Sequence, residues 1–464
     1  MNHHYDAQSS VWFTLHFPYT FKITPIMKLI QALFKLFIFT FLLACSSKQE
    51  KISGVTIPEL INRPHLIGPE EEMSHMMDLY TSTVAKIKHN PKDLESRLAL
   101  AEMFMQEARV SGEHGYYYPA ALTVINEVMN DQPDANAHYR ALLNKGSVLL
   151  SLHQFQEAKK IGEEALALNP HSANAYGVVI DANVETGNYK KAVEYADKMV
   201  SIRPDLRSYS RISYLREIYG QVQGAINAMK LAVAAGYPGT EQTEWARLTL
   251  GNLYERYGKA DSALLQYQQS LAYRPNYPFA MGALASHFAL QGKYAVADSL
   301  NAVAMNLIPE ASFFVHQAKW DKARGYKDKV KKQGETILSM MADDEKSGHK
   351  MGLELSKVYL DILDNPKEAM KVAMNEFESR PDNIDINKQI AEIYLAQGET
   401  GKAQEHLSKA QMTGSQDPEL RCLEGMLMLK SNKVSEATAL IKSVFVENPN
   451  LDCSFCKEAK SVTL

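Results

Sequence analysis

The chain is poor in cysteine, with four in 464 residues. That number cannot staple a chain of this length, so a disulfide-built scaffold is excluded and the fold must rest on a buried core. Dense runs of Lys or Arg are absent and the net charge is −4. Nucleic acid is therefore not an expected partner, because phosphate binding needs a concentrated cationic face. The sequence has no phosphate-binding glycine loop, no nucleophile elbow and no HExxH pair. Nothing in it prepares nucleotide binding, acyl transfer or zinc hydrolysis. The chain is expected not to be an enzyme and to require no cofactor.

The front end carries an export pattern. Residues 27–45 read MKLIQALFKLFIFTFLLAC, with Lys28 and Lys35 as a short basic region. Leu36–Leu43 add a largely apolar stretch too short for a membrane-spanning helix of about 20 residues. The run ends Leu42-Leu43-Ala44-Cys45, which resembles the bacterial lipobox. That resemblance implies a signal peptide over 27–44 and a lipidated Cys45 as the first mature residue; an ordinary cleaved signal with a chance cysteine is the alternative. Residues 1–26 have no export logic, so Met27 is the expected start and the upstream stretch a misassigned extension. Ser46 follows the cysteine, which points by analogy to an outer-membrane anchor, with the face left open. Residues 45–70 hold Gly54, Pro58, Pro64, Gly68 and Pro69 and predict an extended tether.

Beyond the tether the chain repeats itself. Pro170 and Pro204 are 34 residues apart, as are Pro275 and Pro309, and Ala369, Ala403 and Ala437 keep the same step. Residues 139–170 place Gly146, Ala158, Ala165 and Pro170 at positions 8, 20, 27 and 32 of the unit. Residues 244–275 place Gly251, Tyr254, Ala263, Tyr267 and Pro275 at positions 8, 11, 20, 24 and 32. Ala285, Ala297 and Pro309, then Ala391, Tyr394 and Ala403, then Gly425, Ala437 and Pro449 continue the pattern. It resembles the tetratricopeptide repeat family. The resemblance implies an all-α solenoid of stacked helical hairpins wound as a right-handed superhelix. Small residues at positions 8 and 20 let two helices cross closely, and proline marks the turn after the second. Residues 71–311 are expected as an N-terminal stack, opened by a lone helix over 71–89. Residues 312–349 lack the motif and are expected as a degenerate repeat or a bend. Residues 350–449 form a C-terminal stack and 450–464 a cysteine-bearing tail. Met73, Met76, Met77, Met103 and Met105 fall at helical spacing and are expected as packing residues.

The resemblance also implies a groove lined by the first helix of each hairpin. Carried onto this chain, the groove candidates are Arg140, Ser147, Asn174, Asp181, Arg207, Tyr214, Glu217, Trp245, Asn252, Glu255 and Arg256. An aromatic among mixed charges suits an extended peptide or a partner helix. The carboxylate clamp of some relatives is not matched, since Leu248 stands where it needs a cation beside Asn252. A second candidate lies within 94–133, where about eight extra residues separate the helices. There His114, Tyr116, Tyr117 and Tyr118 could form a docking knob or ligand pocket, or a long turn packing its rings over the first repeat. A single histidine there gives no metal set. At the end, Cys453 and Cys456 form a CxxC with Cys422 on the preceding hairpin. In an exported chain the pair can be a structural disulfide, a redox or metal pair, or free thiols.

Three functions of different class follow. The first is a membrane-anchored scaffold or adaptor that holds another envelope protein. The second is a surface lipoprotein that captures a nutrient or other ligand. The third is a redox or metal-handling protein, or an enzyme, built on the CxxC.

Overall fold

The computed structural model describes residues 50–52, 54–63 and 67–463. The expectations placed on residues 1–49, including the signal peptide and Cys45, lie outside them. From Glu50 onward the chain is one compact unit. It opens with an antiparallel ribbon of β1 (Glu50–Ile52) and β2 (Val55–Ile57), followed by helix α1 (Glu70–His89). Ten hairpins then follow in sequence. They are α2 (Leu94–Ser111) with α3 (His114–Asn130), α4 (Ala135–Ser151) with α5 (Phe155–Leu168), and α6 (Ala173–Glu185) with α7 (Tyr189–Ile202). Next come α8 (Leu206–Ile218) with α9 (Val222–Ala234), α10 (Glu241–Arg256) with α11 (Ala260–Tyr273), and α12 (Pro278–Leu290) with α13 (Tyr294–Leu307). The series continues with α14 (Ala311–Ala323) and α15 (Lys327–Lys346), then α16 (Gly352–Lys357), extended by a π-turn over Val358–Ile362, and α17 (Pro366–Ser379). It closes with α18 (Ile384–Ala396) and α19 (Thr400–Ala410), α20 (Pro418–Lys430) and α21 (Val434–Glu447), and a short capping helix α22 (Cys456–Ser461). The body is an all-α solenoid.

Local chemistry sets each hairpin. Asp93, Asp134, Ser172, Asp205, Asn383 and Asp417 cap the first helix of their hairpins, their side chains accepting from backbone N–H groups. The turn between the two helices holds a left-handed residue. In order these are His153, Gly187, Gly220, Gly258, Gly292, Gly325, Asp364, Gly398 and Asn432, with φ from 49° to 84° and steps of 33 to 39 residues. Five residues past the turn stand Ala158, Ala192, Ala225, Ala263, Ala297, Ala369, Ala403 and Ala437, all fully buried. A larger side chain there would push the two helices apart. Ser213 and Ser356 add a bond across the crossing, donating their hydroxyls to the Ala225 and Ala369 carbonyls at 2.8 and 3.0 Å.

Residues 312–349 carry a full hairpin, α14 and α15. Ala318 is fully buried at the crossing, Gly325 makes the left-handed turn, and Val330 takes the place of the usual alanine. Helix α15 runs 20 residues, longer than its counterparts, and its end reaches a hairpin far earlier in sequence. Lys350 N–H donates to the Leu152 carbonyl at 3.0 Å, and Gln154 donates to the Gly348 carbonyl at 2.8 Å.

That contact is one of a series. Arg274 is fully buried and donates to both Glu72 carboxylate oxygens, at 2.6 and 2.9 Å. Arg380 donates to Glu185 at 2.7 Å, and Ile384 N–H to the Tyr189 hydroxyl at 2.8 Å. Asn448 donates to the Glu255 and Arg256 carbonyls at 3.1 and 2.9 Å. Partners in these contacts are 192 to 202 residues apart. At about 34 residues per hairpin, the solenoid meets itself after roughly six hairpins. Two successive superhelical turns are thus in direct contact.

Two expectations are corrected here. Over its described residues, the expected tether is part of the folded body. Val55, Ile57, Leu60 and Ile67 are buried, and Arg63 forms ion pairs with Glu107 at 2.7 Å and Glu72 at 2.9 Å. Val55, Ile57 and Leu60 pack with α2 and α3, and Ile67 with Val110, Ile308 and Phe313, and this burial stabilises the docked segment more than solvation stabilises an extended one. The segment around His114 is not a long turn or a knob. A left-handed Gly112 joins α2 and α3 directly, and the extra residues lengthen the helices. Tyr117 and Tyr118 are buried, Tyr117 beneath the N-terminal segment. Tyr116 donates to the Glu59 carbonyl at 2.7 Å and Tyr117 accepts from Ile61 N–H at 3.1 Å, so these rings latch that segment down. His114 stacks on Tyr118 with ring centroids 5.4 Å apart.

The inter-turn contact makes a sharp distinction between two glycines. Gly258 and Gly398 have similar φ, 71° and 78°, so alanine strains either by on the order of 1 kcal/mol. A Cβ at Gly398 meets nothing, whereas one at Gly258 collides with the Glu447 carbonyl of the next turn. Gly258→Ala is expected to cost a further 1–3 kcal/mol or so beyond Gly398→Ala in urea unfolding. Equal losses would mean that the two turns do not touch there.

Candidate partner-binding lumen

The first helices of five hairpins, α2, α4, α6, α8 and α10, face inward around one cavity of about 950 Å³. Helical periodicity turns every third or fourth residue of each toward the lumen. Of the groove candidates, Arg140, Ser147, Asn174 and Asp181 line this cavity, as do Arg207, Tyr214, Glu217 and Trp245. Asn252, Glu255 and Arg256 lie beyond it on the last turn of α10 and are engaged in internal contacts. Asn252 accepts from the Tyr267 hydroxyl at 2.9 Å. Glu255 bonds His287 Nδ1 at 2.6 Å, and His287 in turn meets Gln291 at 2.8 Å. Arg256 pairs with Glu217 on α8 and reaches Asp417 of the next superhelical turn at 3.7 Å. These three side chains hold neighbouring helices together outside the cavity, which corrects their reading as groove candidates.

Within the cavity most charges are already paired. Arg211 grips both oxygens of Asp181, Arg140 pairs with Glu95 and Glu102, and Arg109 stands 3.7 Å from Glu241. Asn174 accepts from Arg203 at 2.7 Å, and the Ser147 hydroxyl donates to its own helix at the Leu143 carbonyl. Arg207 is different. Among the described residues its guanidinium has no ion pair or hydrogen bond. Burial lowers its affinity for a proton, and Arg211, Arg109 and Arg203 add repulsion. It remains a cation, crowded by cations, on an accessible wall. Trp245 keeps 45% of its surface accessible and Tyr214 keeps 36%, although both line the cavity. Enclosure by surrounding protein pushes the Tyr214 hydroxyl well above its usual range, so it stays a neutral donor. An unpaired cation and two partly accessible aromatic rings that line one cavity can hold a carboxylate and an apolar or planar group.

Sequence reasoning missed several wall residues. Glu102, Arg109, Arg211, Glu185 and Glu241 all line the cavity. Their signal was available, because Arg211 and Glu185 lie on the same first helices as the chosen candidates. What periodicity could not supply was Arg380, which reaches Glu185 from the next superhelical turn.

The other candidate chemistry lies elsewhere. Cys453 and Cys456 are joined as a disulfide beside the buried Cys422, at the C-terminal cap. No helix among the described residues is long and apolar enough to cross a membrane.

Glu185 provides a pH-dependent readout of this wall. Burial pushes its carboxyl up to about 7, aided by Asp385 and Asp181, with Arg380 opposing. A carboxyl raised on folding contributes stability that is full below its unfolded value, near 4.5, and is lost as pH rises through about 7. Glu185→Gln keeps an acceptor for Arg380 and removes the titration. The variant is expected to lose less stability than the parent between pH 5 and pH 7.5, by on the order of 1–3 kcal/mol in denaturant midpoints. Identical pH profiles would show that Glu185 ionises as it does in water.

Residues 149–216 match the tetratricopeptide repeat family. No curated protein sequence matches the chain. Among solved structures it is similar to a thermophilic tetratricopeptide repeat protein of Thermus thermophilus, at 21% identity and TM-score 0.37, over 42% of this chain and 99% of that one. It is similar to PilF of Pseudomonas aeruginosa at 16% identity and TM-score 0.36, over 52% of this chain and 100% of that one. It is also similar to human IFIT1, solved as a dimer with PPP-AAAA, at 13% identity and TM-score 0.43, over 74% of this chain and 93% of that one. The chain is an all-α solenoid, within which residues 149–216 match the tetratricopeptide repeat family.

Proposed function

We propose that this protein is a lipid-anchored, non-catalytic scaffold of a bacterial cell envelope, whose lumen holds an extended segment of another envelope protein. The observation that carries the reading is Arg207, a cation with no partner among the described residues, which lines a cavity of about 950 Å³ together with the accessible rings of Trp245 and Tyr214. An extended segment would bring a carboxylate to Arg207 and lay apolar or aromatic side chains on the two rings. The wall is largely pre-formed, because Arg211, Arg140 and Arg256 are already fixed by their partners. Binding then orders the incoming segment more than the scaffold, which lowers its entropic cost. The anchor is Cys45, after cleavage behind Ala44, with the outer membrane as its site.

A photoreactive amino acid at Trp245 is expected to capture one dominant envelope polypeptide in native membranes. The same group at Tyr237, which is 82% exposed outside the cavity, serves as the control and is expected to capture none. Arg207→Glu should reduce the Trp245 crosslink about tenfold, the effect of losing roughly 1.4 kcal/mol. Equal capture from both positions, or none from Trp245, would overturn the lumen reading. The anchor is tested separately: Cys45→Ser is expected to move the protein from the membrane to the soluble fraction, and an unchanged distribution would remove the lipid anchor from the account.

A further inference from the structure

The C-terminal cap brings together three sulfur atoms. Cys422 lies on the first turns of α20, while Cys453 and Cys456 flank the start of α22, more than thirty residues later. The three Sγ atoms all lie within 4.8 Å of one another. Cys422 and Cys456 are buried and Cys453 is partly accessible. Leu423, Met426, Leu451, Phe455 and Ala459 surround them with apolar surface. Among the described residues no histidine or carboxylate joins the group.

We propose that this cluster, once its disulfide is reduced, is a three-thiolate site for a single cuprous ion. A metal–thiolate bond is about 2.3 Å, so three sulfurs around one ion stand roughly 4 Å apart. The present span accommodates that spacing once the Cys453–Cys456 bond opens. Ligand number and softness select the ion. Structural zinc takes four ligands, and this group supplies three. Thiolates with no oxygen or nitrogen partner favour cuprous copper among the biological cations. The apolar surround shields the ion from water and oxidant, while the partly accessible Cys453 is the side from which it enters.

The chemistry has two steps. A dithiol reductant gives two electrons and two protons to the Cys453–Cys456 disulfide and becomes a disulfide itself, leaving three thiols in the cap. One cuprous ion then replaces the three thiol protons, which pass to solvent. Charge is conserved in that step, the ion and thiols carrying plus one before and the complex carrying minus two beside three released protons. No electron moves during binding. The disulfide therefore works as a lock, and the cap takes the ion only in the reduced state.

The test uses the full chain, reduced with dithiothreitol, desalted anaerobically and titrated with cuprous acetonitrile complex against bathocuproine disulfonate. One equivalent is expected to bind, and none in the oxidised protein. X-ray absorption should report three sulfur neighbours around the copper. Cys422→Ala is expected to weaken binding beyond the roughly 100-fold that loss of an outer-shell partner can cost. A two-sulfur shell in the parent protein, or no stoichiometric binding after reduction, overturns the proposal whether or not the variant folds. Unchanged affinity in a folded Cys422→Ala variant overturns it as well, because the CxxC alone would then hold the ion.

Discussion

The contact between successive superhelical turns is the constraint on which the rest of this structure depends. Each hairpin needs only its neighbours to bury its apolar face. The turn-to-turn contact adds a second set of partners, and it does so with polar groups. Arg274 is a fully buried cation made tolerable by the two oxygens of Glu72. Arg380 depends in the same way on Glu185 and Glu376. Taking such ions out of water costs several kcal/mol each, and a well-aligned partner roughly offsets it. The net stabilisation is therefore small, while the geometric restriction is large, because a displaced turn leaves a buried charge without its partner. Carbonyls at the ends of first helices, at Leu152, Glu255 and Arg256, accept from donors in the next turn.

This closure changes what the inner face of the repeats can do. In an open solenoid the groove is a broad concave wall. Here the return of the chain after about six hairpins sets a second turn against that wall, at Glu185, Glu255 and Arg256. Arg256 ties α8 to α20 through Glu217 and Asp417, and Lys388 pairs with Glu419 within the second turn. The lumen is mixed in charge and mostly self-neutralised. Arg207 stands out against that background as the cation whose partner is not supplied by the wall.

The repeat was legible because its residues answer to local rules. Alanine at the helix crossing, glycine at the left-handed turn and proline after the second helix each act within one hairpin, so period alone reveals them. The hairpin of α14 and α15 escaped because Val330 replaces the crossing alanine and no proline ends its long second helix. Ala318 and Gly325 were the signals that remained. Pro119 lies inside α3, so this helix runs on through a residue that has no backbone N–H to give. The N-terminal segment read as a tether from its prolines and glycines, although its alternating Val55, Ile57 and Leu60 belong to a buried strand and its continuation. Contacts near 195 residues in separation were not legible at all. They depend on the summed small rotation of six hairpins, which no single repeat encodes. Of the groove candidates that prove to be engaged internally, only Arg256 brings its side chain to such a contact, at Asp417, whereas the side chains of Asn252 and Glu255 are held by Tyr267 and His287 of their own and the following hairpin.

Hydrogen exchange resolved to single amides tests the closure most directly. The Lys350 and Ile384 amides donate to Leu152 and Tyr189 of the previous superhelical turn. Among the described residues their acceptors lie across that contact, so exchange there reports closure and not helix stability. The account predicts that both amides exchange orders of magnitude more slowly than an unbonded loop amide. Exchange at the intrinsic rate, with the flanking helices still protected, would mean that the turns stand apart.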